Sequence, residues 1–308
     1  MRVFVTGASG HIGSALVPEL LAAGHEVVGL ARSNASAAAL VSAGVEVQRG
    51  NLDDLEVLQR TAAAVDGVIH LAFKHDVAFT GDFAAAAAAD LRAVEAIGAA
   101  LEGSGKPFVN TSGTLALAFA SRGRAGSEDD EGEGLRIGSE NATLALAEHG
   151  VRSSVIRLPP TVHSALDRQG FVPTLVAMAR ANGFAAYVGD GSNRWPTLHT
   201  LDAARLYRLA MEAAPAGSRL HGVAEGGVCF REIAEAIGRG LGLPTVGISP
   251  DEAGKRLGFL AELAQLDNPT SSERTQKLLH WQPTHPGLLA DLAERHYFLE
   301  APTRAESR

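Results

Sequence analysis

The chain has 308 residues, 46% of them hydrophobic and 20% charged, with a formal net charge of -8 and a single cysteine. That is enough apolar material for one large domain or two unequal ones, and the acidic balance argues against a nucleic-acid partner, whose phosphates are neutralised by Lys and Arg. Cys229 alone excludes an intrachain disulfide and a cysteine-based zinc cluster and fits a reducing compartment.

The opening "MRVFVTG" already reads as strand and turn, which leaves no room for a secretory leader. No apolar run approaches the ~18 residues of a membrane span. The expectation is a cytoplasmic protein that does not enter a membrane.

In chain order, "RVFVTG" (2–7), "EVVGLAR" (26–32), "VEVQRGN" (45–51), "GVIHLAF" (67–73), "PFVNTSG" (107–113) and "RSSVIRL" (152–158) read as buried strands. The stretches between them, "HIGSALVPELLAAG", "NASAAALVSAG", "DDLEVLQRTAAAV", "DFAAAAAADLRAVEAIGAALEGSG" and "GSENATLALAEHG", read as helices closed by glycine or small residues. Such alternation predicts an α/β fold: a Rossmann-type, doubly wound parallel sheet covered by helices on both faces.

After residue 158 proline and glycine become frequent, and the helices fall at "FVPTLVAMARANG", "LDAARLYRLAMEAAP" and "FREIAEAIGRGLG". We read residues 1–158 as a dinucleotide-binding domain and 159–308 as a smaller α/β substrate region that can return a strand to the main sheet. "GSEDDEGEG" (126–134) reads as a solvated loop, because a glycine-rich run does not fix the geometry of a metal site. No metal site is expected anywhere.

"VFVTGASGHIGSAL" follows the first strand and opens a helix, with Gly7, Gly10 and Gly13 spaced by three. Glycine there allows a tight turn and close approach to a pyrophosphate, while the helix N-terminus offers free N–H groups. The second strand ends in Arg32 and Ser33 where an NAD site presents an acid to the ribose. A guanidinium suits a 2′-phosphate, so NADP(H) is expected in preference to NAD(H).

With "TGASGHIG" at 6–13, "GNLDD" after the third strand, "HLA" at 70–72, "TSGT" at 111–114 and "RLPPTVHS" at 157–164, the chain resembles the extended short-chain dehydrogenase/reductases, the NAD-dependent epimerase/dehydratase superfamily. The resemblance runs through "GDGSNRWPTLHTLDAARL". It implies that Thr6, Gly7, Gly10, His11, Ile12 and Gly13 surround the pyrophosphate and that Asn51 and Leu52 meet the adenine. Leu71 and Ala72 then line the cofactor, and Pro159, Pro160, Thr161 and Val162 lie beside the nicotinamide. Ser112 or Thr114 takes the hydroxyl position that binds a substrate carbonyl. Relatives also imply a homodimer through the long helices after the fourth and fifth strands.

The departure lies in that family's Tyr-x-x-x-Lys motif. Aligning the helix "SENATLAL" puts Arg136 at the tyrosine position and Glu140 at the lysine position, so the chain resembles the atypical members of the superfamily. His163 is the first candidate for a replacement acid, since imidazole exchanges a proton near neutral pH. Its alternative is a packed core histidine. Lys74 and His75, at the C-terminal end of the fourth strand, and Arg194 with Trp195 are candidates for substrate contact, while Asp202 is expected to cap a helix.

The expected activity is that of an NADP(H)-dependent oxidoreductase on a small carbonyl or alcohol. The alternatives are a non-catalytic NADP-binding protein and, third, a nucleotide-sugar epimerase or dehydratase.

Overall fold

A computed structural model describes residues 1–118 and 124–299. The last nine positions of the substrate region expected at 159–308 therefore lie outside the described residues.

Twelve strands are described. The first six are β1 (Arg2–Thr6), β2 (Glu26–Ala31), β3 (Glu46–Arg49), β4 (Gly67–His70), β5 (Pro107–Gly113) and β6 (Arg152–Leu158). The shorter ones are β7 (Thr161–His163), β8 (Ala185–Val188), β9 (Arg194–His199), β10 (Ser218–His221), β11 (Glu225–Cys229) and β12 (Thr245–Ile248).

The helices of the first half are α1 (His11–Ala22), α2 (Asn34–Ser42), α3 (Leu55–Ala63), α4 (His75–Phe79), α5 (Phe83–Leu101), α6 (Leu115–Ala118) and α7 (Ile137–Ala145). Those of the second are α8 (Phe171–Asn182), α9 (Thr200–Ala213), α10 (Phe230–Leu241), α11 (Pro250–Leu257), α12 (Glu273–Leu279) and α13 (Leu288–Ala293).

Seven parallel strands form the main sheet in the order β10-β6-β5-β4-β1-β2-β3. The predicted doubly wound α/β fold is present. Val3, Phe4 and Val5 of β1 have no exposed surface, as expected of a central strand covered on both faces. Leu16 and Leu20 of α1 join Leu206, Tyr207 and Ala210 of α9 on one face of the sheet; Leu58, Val94 and Ile97 from α3 and α5 fill the other. The chain winds outward from β1 to β3, then from β4 to β6 in the opposite direction. The crevice between β1 and β4 is thus a topological switch point, where open α/β sheets bind ligands.

The rest of the chain is less regular. β7, β9 and β11 form a second sheet, β8 and β12 a third, and a separate core gathers Trp195, Phe230 and Ile233. β10 leaves that region and lies beside β6 at the edge of the main sheet.

Two local expectations change. Residues 126–134 are not simply a solvated loop: Glu128 is buried and its Oε1 accepts hydrogen bonds from the amide and hydroxyl of Thr275 at 2.8 and 2.7 Å. The carboxylate satisfies the first turn of α12, so the acidic run ties two distant segments. Nor is Asp202 the cap of α9. That place belongs to His199, whose side chain accepts from Leu201, while Asp202 accepts the amides of Thr284 and His285 at 3.0 Å.

Candidate active site

The site begins where β1 meets α1. Gly7 has φ of +70°, and a Cβ on it would lie 2.9 Å from the Ala72 amide nitrogen; one on Gly13 would lie 2.1 Å from the Gly7 carbonyl oxygen. Only glycine lets the loop pass this close to the β4 end and to its own helix. Gly10 caps α1 without any side-chain hydrogen bond. The first-turn amides are therefore left for a ligand, and their partial positive charge fits a pyrophosphate.

Thr6 stitches the cradle to β4, its Oγ1 lying 3.2 Å from the Ala72 amide and 2.8 Å from Nδ1 of buried His70. Leu71 and Ala72 thereby sit beside the glycines. Ile12 packs on the core. His11 reaches the second half of the chain: its Nε2 is 2.7 Å from Thr200 Oγ1 and its Nδ1 3.8 Å from Asp167 Oδ1. Burial, then His163 and His199, lower its imidazole to about 4, so it is neutral at pH 7. The same burial raises the Asp167 carboxyl to about 6.

At the β2 end, Ser33 caps α2 by accepting from the Ser36 amide. Arg32 is exposed, its Nη1 3.1 Å from Asp76 Oδ2. A second cation escaped the sequence reading: Arg49, at the end of β3, donates to the Ser33 carbonyl at 2.5 Å and to Asn34 Oδ1 at 2.9 Å. The β2 end itself carries Arg32 and Ser33 and no acid. Asn51 is occupied locally, its amide nitrogen donating to Asp54 at 2.8 Å and its Oδ1 accepting the Asp53 amide. Leu52 is buried.

The far end of the cleft departs from the sequence expectation. Ser112 is only 3% exposed. Thr114 is sealed, with Oγ1 accepting from Asn268 Nδ2 at 2.9 Å. His163 is fully buried; its Nδ1 donates to Asp291 Oδ2 at 2.9 Å and its Nε2 has no partner among the described residues. His163 therefore has no accessible face in this structure.

Arg194 is likewise taken, by a bidentate pair with Asp267 at 2.7–3.0 Å, and Trp195 lies in the second core rather than in the cleft. Lys74 pairs with Asp53 at 2.6 Å. Pro159 and Thr161 are buried, the latter donating to the Pro196 carbonyl, while Pro160 and Val162 keep partial exposure.

Glu140 and Arg136 explain how the site is rearranged. Glu140 lies in a buried pair with Arg157 on β6, at 2.5–3.1 Å, with Arg219 Nε at 3.4 Å. Burial would raise its carboxyl, but Arg157 holds it below the ordinary value. The expected lysine position is thus an internal ion pair.

Arg136, at the N-cap of α7, stays partly exposed. Its Nη2 donates to the Thr111 carbonyl at 2.9 Å and lies 3.7 Å from Asp90 Oδ2, and its guanidinium sits 4.2 Å over the Phe73 ring. From Phe73 a row of rings runs from α4 to the second half of the chain: His75 at 5.2 Å, then Phe79, then Phe171 and Phe259, the Phe79–Phe259 pair stacked at 4.9 Å.

Residues 3–131 match the model of the NAD dependent epimerase/dehydratase family. The chain is 30% identical to a 2-alkyl-3-oxoalkanoate reductase of Stenotrophomonas maltophilia over 73% of this chain and 69% of that one. The chain belongs to the NAD-dependent epimerase/dehydratase family.

An uncharacterised protein of Schizosaccharomyces pombe shares 47% identity with this family member over 97% of its length and 100% of the relative's. Among solved structures, the dTDP-glucose 4,6-dehydratase of Streptomyces venezuelae with NAD bound superposes with a TM-score of 0.77 at 21% identity, covering 97% of this chain and 96% of that one. That likeness concerns the fold.

Proposed function

We propose that this family member is an NADP(H)-dependent oxidoreductase acting on a small carbonyl or alcohol. One observation carries the reading: an uncapped helix N-terminus behind a glycine turn opens at the switch point of the sheet, and Arg32 and Arg49 flank the β2 end where an acid would repel a 2′-phosphate. Bound there, the nucleotide would supply or accept hydride. Thr6, Gly7, Gly10 and the first-turn amides would hold its pyrophosphate, Leu71 and Ala72 would line it, and Arg32 would leave its exposed partner Asp76 for the phosphate.

The reductase name of the Stenotrophomonas relative supports carbonyl chemistry. Epimerisation or dehydration of a nucleotide sugar fits less well, because those mechanisms lean on a base at the tyrosine position and Arg136 does not release a proton near neutral pH. Fluorescence titration of nucleotide-stripped protein with NADPH and with NADH tests the reading. Tighter binding of NADPH supports it; binding of neither removes it.

A further inference from the structure

Resting on that oxidoreductase reading, we infer that Arg136 is the hydrogen-bond donor to the substrate oxygen, acting as a permanently charged electrophile where a proton-donating phenol is usual. Its placement supports this. Three elements fix the guanidinium: the Thr111 carbonyl at the end of β5, the Asp90 carboxylate on α5, and the Phe73 ring after β4. Among the described residues Nη1 makes no hydrogen bond, and Nε is buried without a partner.

The hydroxyls that would compete for the role are poorly placed for it: Ser112 is almost fully buried, and Thr114 is sealed and accepts from Asn268. Gly113 adds room: a Cβ on it would meet only the Leu158 carbonyl oxygen, at 3.8 Å. Asp90 is fully buried and within 3.3 Å of His70 Nε2, so it anchors the cation from behind rather than facing substrate.

The chemistry balances without an acidic side chain. Hydride from the reduced nicotinamide nucleotide adds to the carbonyl carbon, the C=O π pair moves onto oxygen, and the resulting alkoxide is held by the Arg136 Nη1–H until water protonates it. The guanidinium stays protonated throughout, as its high pKa requires. Such a fixed donor lowers the barrier by stabilising charge that develops only in the transition state.

The test compares wild type with Arg136→Lys, Arg136→Met and the double variant Arg136→Met with Asp90→Asn, which leaves no unpaired buried carboxylate. Two readouts are taken on NADPH-saturated protein: reduction of benzaldehyde, and calorimetric binding of benzamide, an unreactive carbonyl. The expected result is a loss of about 100-fold in kcat/KM and about tenfold in benzamide affinity for both Met variants. Lys should be intermediate, NADPH affinity unchanged, and millimolar guanidinium should restore turnover to Arg136→Met. Unchanged benzamide affinity or retained turnover in the folded double variant overturns the role of Arg136 alone. Absence of NADPH binding in wild type would instead overturn the underlying oxidoreductase reading.

Discussion

Glu140 shows how one residue can change a site. Its carboxylate and the Arg157 guanidinium are both almost completely buried, and truncating one partner of a buried pair strands the other charge. Glu140→Lys would place three cations together with Arg157 and Arg219, so restoring a lysine here should destroy rather than improve the protein. We expect a loss of about 3–5 kcal/mol in unfolding free energy, read as a lower denaturation midpoint.

Asp167 carries the residue-scale pH dependence. Burial raises its carboxyl from 3.8 to about 6, with Tyr297 and His11 as neighbours. Because the folded value exceeds the unfolded one, its contribution to stability is complete below about pH 3.8 and is lost as the pH rises through about 6. Asp167→Asn cannot ionise. Its stability relative to wild type should therefore improve by about 2 kcal/mol between pH 4 and pH 7, most of the roughly 3 kcal/mol that a shift of about two pKa units represents. A gap that stays constant over this range would count against the assignment.

Among the elements, the β2 end and the ring row make separate predictions. Arg32 is exposed and its pair with Asp76 contributes little to stability, so Arg32→Asp should leave the denaturation midpoint in place. It should weaken NADPH by roughly tenfold or more, the equivalent of about 1.4 kcal/mol, and spare NADH. Equal weakening of both nucleotides in parallel titrations would mean that Arg32 does not read the phosphate.

The short α4 is held to the second half of the chain by the stack of Phe79 on Phe259, both substantially exposed. Phe259→Ala should raise hydrogen exchange of the amides in 75–83 while leaving β1 and β4 protected, because that contact is local and the main core is untouched.

At the scale of the whole molecule, the sequence reading succeeded where signals were local. β1 to β6 announced themselves as apolar runs bounded by glycine and turn residues, and the glycine triplet marked the tight turn from β1 into α1. A late strand returning to the main sheet was expected, but its place was not legible, because "SRLH" of β10 is four residues with no alternation; β7 and β11, of three and five residues, are similarly short.

The catalytic end was hardest to read for a related reason. Its contacts join residues far apart in the chain: His163 meets Asp291 across 128 positions and Arg194 meets Asp267 across 73. Nothing local in one sequence announces that a histidine after "PPTV" will be claimed by an aspartate near the C-terminus, or that Thr114 will accept from Asn268. Arg136 could be located by position, but its seat on Phe73 needed the fold.

On this reading the protein transfers hydride with Arg136 at the expected tyrosine position. The most direct test is mass spectrometry of benzyl alcohol formed from benzaldehyde with NADPH deuterated at the transferable C4 position. One deuterium on the carbinol carbon is expected, at a rate that falls about 100-fold in Arg136→Met. Bound NADPH with no deuterium in any product would contradict this reading and leave a protein that holds the nucleotide without using it.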